Sequence, residues 1–224
     1  RLSSVLKCEH KYWSRLLQAE VTDAHPAFQV LNPHDDDAAE RIEIDYPFFV
    51  KPIKSTSSAL AFKVEDDEQW HAALSELRAG IDDIAEPFDQ LIQHLEYVPQ
   101  SVRDATGCCC LVESIMSGAQ CTVCGYVQAR EARVYGVVDS LTYQDSSTFE
   151  SFVYPSSLPH HLVKRLSEIS CRVMEHIGFS NGCFNIEFFV DTDSEQIALL
   201  EINPRISQSH TLLFHFVDGV PNLR

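Results

Sequence analysis

The segment NGCFNIEFFVDTDSEQIALLEINP, residues 181–204, constrains the fold more than any other part of the chain. Two runs rich in Ile, Phe, Val and Leu flank a polar stretch from Asp191 to Glu195, which is the pattern of two strands and a turn. A hairpin centred on Ser194 sets Glu187 opposite Glu201 and Asn185 opposite Asn203. Side chains alternate in a strand, so Ile186, Phe188 and Val190 then share a core face with Ile202, Leu200 and Ala198. The other face holds Glu187 and Glu201 as direct neighbours, roughly 5 Å apart at Cβ, flanked by Phe189 and Leu199.

Two carboxylates at that separation repel, and partial burial strengthens the repulsion. A cation removes the conflict. Carboxylate and amide oxygens are hard ligands suited to Mg²⁺ or Mn²⁺, which makes Glu187, Glu201 and Asn203 the candidate metal ligands. The alternative is a pair of solvated acids on an open face. Arg205 follows Pro204 just past the strand end, where a loop can aim its guanidinium back at the site. Such a group matches carboxylate or phosphate oxygens, although by itself it fits a surface ion pair equally well. Ser207, Ser209 and His210 come next and are expected to touch the substrate.

The remaining chain predicts an α+β fold. CEHKYWSRLLQAEV reads as one amphipathic helix, AFQVL as a short strand, and YPFFVKP as a strand entered at Pro47 and stopped at Pro52. KSTSSALAFKV is a Ser-rich turn leading into a paired strand. Asp66 with Gln69 three residues later forms a capping-box start for a helix that Gly80 closes, and a second helix, strained by Pro87, follows. CCCLVE is a buried strand, ESIMSGAQ a linker, and QCTVCGYVQAR with ARVYGVVDSLTY an antiparallel pair. A helix from Pro159 to Ile177 ends at Gly178, ahead of the hairpin. This order divides the chain into a lead-in over residues 1–45, a small lobe over 46–116 and a larger lobe over 117–224, hinged near 113–118.

Charge and cysteine content narrow the partners. A formal net charge of -16 argues against a nucleic-acid surface, which needs clustered Lys and Arg. It leaves room for a phosphorylated ligand held by a few lysines and a divalent cation. Lys51 ends an apolar strand, so its stem can be buried while its ammonium reaches outward. The small residues Ser55, Ser57 and Ser58 let backbone N–H groups approach phosphates, though a flexible hairpin fits the composition as well. Three consecutive cysteines, Cys108 to Cys110, suit a buried strand rather than a disulfide framework, and the eight cysteines together point to a reducing, cytoplasmic setting. Cys121 and Cys124 lie on opposite faces of a strand, which weighs against zinc. No apolar run approaches the roughly 20 residues that cross a bilayer. The chain opens on Arg1, and a start further upstream is expected.

In this order and spacing, Lys11 in KYWSRLL, Lys51 in YPFFVKP, the segment VESIMSGAQ, NIEFF and EINPR together resemble the ATP-grasp superfamily. The resemblance covers nearly the whole chain and implies two α+β lobes clamping ATP. It implies that Lys11 and Lys51 contact phosphates and that Glu113, Ser114, Ile115 and Met116 hold adenine. Gln120 stands where such proteins commonly have a ribose-binding Glu. Glu187, Glu201 and Asn203 would hold one or two Mg²⁺ ions, and Arg205 would stabilise an acyl-phosphate and the tetrahedral intermediate. The implied activity is ATP-dependent joining of a small carboxylic or amino acid to an amine. Biotin carboxylase is similar at EINPRI, but the Gln and Glu that follow there are Ser207 and Ser209 here, whereas VYPSSLP and NGCFNIEF look like the amino-acid and dipeptide ligase branch. A biotin-carboxylase-like carboxylase and a non-catalytic nucleotide-binding module are the alternatives. An N-terminal substrate domain, usual in such ligases, is expected to be missing or to lie upstream.

Overall fold

The computed structural model describes residues 2–55, 59–144 and 148–219. Helices α1 (Leu2–Glu9) and α2 (Lys11–Ala19) open the chain where the sequence predicts one continuous helix. The break is at His10, whose ring Nδ1 accepts the Trp13 N–H at 3.2 Å and so starts a new helix with its side chain. Two compact units follow from the packing. One comprises Pro26–Ile115 with Glu9–Leu16, and the other Met116–Arg224 with Arg1–Cys8 and Leu17–His25.

In the first unit, strands β1 (Phe28–Leu31), β2 (Phe48–Pro52), β3 (Phe62–Val64) and β4 (Cys110–Ser114) form an antiparallel sheet in the order β1-β4-β2-β3. Helix α3 (Asp67–Gln93) lies against it, and a short helix α4 (Gln100–Asp104) precedes β4. The start of α3 is the one the sequence predicts: Asp66 accepts the Gln69 N–H at 2.8 Å, while the Gln69 side chain accepts the Glu65 N–H at 3.0 Å. The stop at Gly80 is not observed, because α3 runs unbroken for 27 residues through both Gly80 and Pro87. An interior proline costs about 3 kcal/mol. The buried stripe Trp70, Leu74, Leu77, Ile81, Ala85, Phe88 and Ile92 continues past it. Burying a side chain such as Phe88 or Ile92 contributes roughly 1.5–3 kcal/mol, which offsets that penalty.

In the second unit, β5 (Ala119–Gln128), β6 (Glu131–Thr142), β7 (Phe149–Val153), β8 (Gly182–Asp191) and β9 (Gln196–Asn203) form an antiparallel sheet ordered β7-β6-β5-β8-β9. Edge strand β7 and the last helix α6 (Gln208–Asp218) were not anticipated from sequence. Helix α5 (His160–Ile177) ends where predicted, at Gly178 with φ 78°, and packs Leu162, Leu166, Val173 and Met174 into a core with Val123, Ile186, Phe188 and Leu199. Gly118 enters β5 with φ 112° against the Val190 carbonyl, where an added Cβ would lie 2.4 Å from that oxygen. No helix among the described residues is long and apolar enough to cross a membrane.

Candidate active site

The β8–β9 ladder pairs Glu187 with Glu201 and Asn185 with Asn203, as the sequence predicts. It does not keep that register toward the turn. Phe188 pairs with Leu199, leaving Leu200 as the extra residue of a β-bulge. The bulge reverses two expected placements: Leu199 is fully buried in the core and Leu200 only half-buried, the opposite of a regular hairpin. Each half of the hairpin thereby keeps its own face, with Ile197 and Leu199 inward on the turn side and Ile202 inward beyond the bulge.

Glu187 is held between two amides. Gln120 Nε2 donates to its Oε2 at 3.1 Å and Asn203 Nδ2 to its Oε1 at 3.2 Å. Burial raises the pKa of this carboxyl, the charge of Glu201 raises it further, and the amides and Arg205 pull the other way. A carboxylate destabilised by burial and by a like charge is the chemistry a hard divalent cation satisfies. Among the described residues no cluster of three or more His, Cys, Asp or Glu side chains is arranged for a metal, so the donor set is two carboxylates and an amide. That set fits Mg²⁺ or Mn²⁺, with one adjustment: Asn203 turns its nitrogen to Glu187, so its oxygen reaches a cation there only if the amide turns over. Gln120, expected at the ribose, here touches Glu187.

Arg205 is exposed, and its Nη2 lies 3.4 Å from Asn203 Oδ1. Its backbone is fixed more firmly than its side chain, because Asn185 Nδ2 donates to the Arg205 carbonyl at 2.8 Å and the Arg205 N–H donates to the Asn203 carbonyl at 2.8 Å. Asn185 was paired with Asn203 by the sequence but given no role; its burial beside a loop that must hold a guanidinium is the signal that finds it. His210, expected at the substrate, is buried instead. Its Nδ1 lies 3.3 Å from Cys124 Sγ and its ring meets Phe152 edge-on at 4.8 Å. Burial holds the imidazole at about 4 and pushes the Cys124 thiol up to about 12, so a neutral thiol meets a neutral ring. Ser207 immediately precedes α6 without a capping hydrogen bond from its side chain, and Ser209 is exposed.

In the first unit the cations gather around one carboxylate. Glu113 lies opposite Phe49 in the β2–β4 register, so Lys51, two residues on, is its diagonal neighbour on the same face. Lys51 Nζ is 2.6 Å from Glu113 Oε2, and Arg15 Nε donates to the other oxygen. All three side chains are almost fully buried. Burial pushes the Glu113 carboxyl up, but Arg15 and then Lys51 more than reverse this and hold it at about 2. Burial, and after it the charges of Arg15 and Lys11, lower the pKa of Lys51 against the pull of Glu113. Glu113 therefore spends both oxygens on cations in this arrangement rather than presenting one to an exocyclic amine. Arg15 went unrecognised in the sequence, where it reads as one more polar residue of an amphipathic helix. Lys11 Nζ lies 3.5 Å from the Ser55 carbonyl. Ser114 Oγ accepts the Ala27 N–H at 3.1 Å, and Ile115 and Met116 follow outside any helix or strand. Ser57 and Ser58 lie outside the described residues.

Comparison with known proteins bears on the family and the fold. A family model described as an ATP-grasp domain matches residues 44–211. The arginine-specific large chain of carbamoyl phosphate synthase from Halalkalibacterium halodurans is 24% identical over 219 residues, covering 94% of this chain and 18% of that one. Among solved structures, biotin carboxylase from Campylobacter jejuni superposes with a TM-score of 0.73 at 16% identity, covering 97% of this chain and 45% of that chain. D-alanyl-alanine synthetase A from Vibrio cholerae gives 0.71 at 14% identity, covering 98% and 62%. The L-amino acid ligase of Bacillus licheniformis gives 0.69 at 13%, covering 96% and 44%. The chain thus spans less than a fifth of the carbamoyl phosphate synthase chain and 44–62% of these solved ones.

Proposed function

The chain belongs to the ATP-grasp family, and from that premise we propose that it is the ATP-dependent part of a ligase that activates a small carboxylic or amino acid as an acyl-phosphate for attack by an amine, forming a C–N bond. The observation that carries this reading is the Glu187–Glu201 pair, two acids set face to face at a bulge with an amide beside them. Repulsion of that kind serves no packing purpose and is relieved by a cation. Mg²⁺, or Mn²⁺, would be held by Glu187, Glu201 and Asn203, and when bound it would neutralise phosphate charge.

The chain's own groups would do the rest. Lys51 and Arg15 carry two positive charges against the single charge of Glu113, and Lys11 adds a third. That surplus suits the phosphates of ATP. The backbone of Ser114, Ile115 and Met116 would meet the adenine ring, with Glu113 serving to hold Lys51 in place. Arg205 would meet charge developing on the transferring oxygens, and losing a donor to such charge typically costs about 10²–10³ in rate. Little covalent work falls to the protein in such a transfer, so position and charge carry the catalysis. Eight free cysteines support a reducing, cytoplasmic setting.

The deciding experiment measures Mg²⁺-dependent ADP release by the protein across a panel of amino-acid pairs. Release that needs both an acid and an amine is expected. Turnover with biotin and bicarbonate alone would replace the ligase reading by a carboxylase, and ATP binding without ADP release under any acceptor would leave a nucleotide-binding module.

A further inference from the structure

At position 120 the sequence, by resemblance, predicts a sugar contact, and the structure shows a contact to a carboxylate. In the β5–β8 register Thr122 lies opposite Glu187 and Gln120 opposite Phe189, which makes Gln120 the diagonal neighbour of Glu187 on one face of the sheet. Its side chain spans that diagonal, with Nε2 3.1 Å from Glu187 Oε2. A carboxylate only accepts, so the end of the amide turned to it is the nitrogen. A glutamate at position 120 could not make this bond without first taking up a proton.

Among the described residues Glu187 has two amide donors, Gln120 on Oε2 and Asn203 on Oε1. They respond differently to a cation. Asn203 brings its oxygen to the site only by turning its amide over, and the same turn takes its nitrogen off Glu187 Oε1. Gln120 holds the other oxygen, so it is the amide that can stay on Glu187 with the cation in place. A carboxylate that ligates a metal is itself held by hydrogen bonds, and losing such a support typically weakens metal binding about 10–100-fold. A neutral amide here also supports Glu187 without adding a third charge to two acids already opposed. We infer that Gln120 is a positioning residue for divalent-cation binding, fixing Glu187 through Oε2 and leaving Oε1 to the ion. The inference rests on the metal site proposed above, and it takes position 120 away from the ribose.

The test is titration of the protein with Mn²⁺ alone, followed by the electron paramagnetic resonance signal of the free ion, beside titration with ADP in the presence of chelator. Gln120→Met keeps the length of the side chain and removes the donor; it weakens Mn²⁺ binding about tenfold or more and leaves ADP binding unchanged. Ser140→Ala is the packing control. Ser140 is the direct cross-strand neighbour of Gln120 on β6, and its buried hydroxyl has no hydrogen-bond partner among the described residues, so its removal changes neither titration. Glu187→Gln and Glu201→Gln each lose Mn²⁺ binding over the range in which the parent saturates, which ties the titration to the proposed site. Unaltered Mn²⁺ binding in Gln120→Met, with both glutamate variants defective, overturns the positioning role and leaves the metal site standing. Weakened ADP binding in Gln120→Met with Mn²⁺ binding unaltered overturns it in favour of the ribose. A parent that binds no Mn²⁺, or glutamate variants that bind it as the parent does, overturns the metal site and this inference with it.

Discussion

Asn185 donates its side-chain amide to the main-chain carbonyl of Arg205 at 2.8 Å while its oxygen accepts from Asn203 at 3.1 Å. One buried amide therefore fixes both a candidate metal ligand and the loop that carries the candidate catalytic cation. Fixing Arg205 through its backbone leaves the guanidinium itself exposed and able to follow a moving charge.

Replacing Asn185 with Ala should lower kcat without abolishing ATP binding, because it loosens the Arg205 loop and leaves the metal-side carboxylates in place. Arg205→Ala should cost 10²–10³ in kcat by removing the donor itself. Steady-state kinetics on both variants check the order, and an Asn185→Ala enzyme with full kcat would show that the loop needs no anchor.

Glu187→Gln and Glu201→Gln should each erase the Mg²⁺-dependent rise in melting temperature while leaving the metal-free protein at least as stable as the parent. Removing one of two facing acids relieves their repulsion, so the metal-free fold gains what the holo form loses. Thermal melts with Mg²⁺ and with chelator give both numbers in one experiment.

Glu113→Gln should destabilise the fold by about 3–5 kcal/mol, because it strands the buried Lys51 and Arg15 charges. The acid dependence has a definite sign. The folded carboxyl sits at about 2 against an ordinary 4.5, so its contribution is present above pH 4.5 and is lost as the pH falls from there toward 2. Denaturant titrations through that window should show a steep acid limb in the parent and a flatter one in Glu113→Gln.

Leu199→Ala should cost about 2–5 kcal/mol, as for a fully buried leucine, and Leu200→Ala much less. A regular hairpin predicts the reverse order. Equilibrium unfolding of the two single variants separates the bulged register from the unbulged one.

The face-to-face acids could be read from the sequence because hairpin partners sum to a constant, and that rule held for Glu187 with Glu201 and Asn185 with Asn203. It failed two residues closer to the turn because nothing in LLEI marks a bulge: there is no glycine, and Leu199 and Leu200 are equally apolar. The caps at Asp66 and Gly178 were legible because each depends on one local residue. Pro87 and Gly80 misled for the opposite reason, since local propensity was overruled by a stripe of buried residues that continues on the same face of α3. Arg15 and the burial of His210 are tertiary facts: each depends on a partner far along the chain, at Glu113 and Cys124. Edge strand β7 is five residues long and mostly exposed, which gives alternation little to mark.

Leu200 also determines how this hairpin can tolerate a change of length. On the turn side, paired positions sum to one less than they do beyond the bulge, because Leu200 is counted on one strand and matched on neither. Deleting Leu200 would therefore merge the two registers into a single regular ladder, with the glutamates still opposed and both apolar sets still inward. Deleting Ile202 would instead remove a core side chain and turn Glu201 toward the core. Of the single-residue deletions in β9, the least disruptive is the one that removes an apolar residue immediately beside a proposed metal ligand.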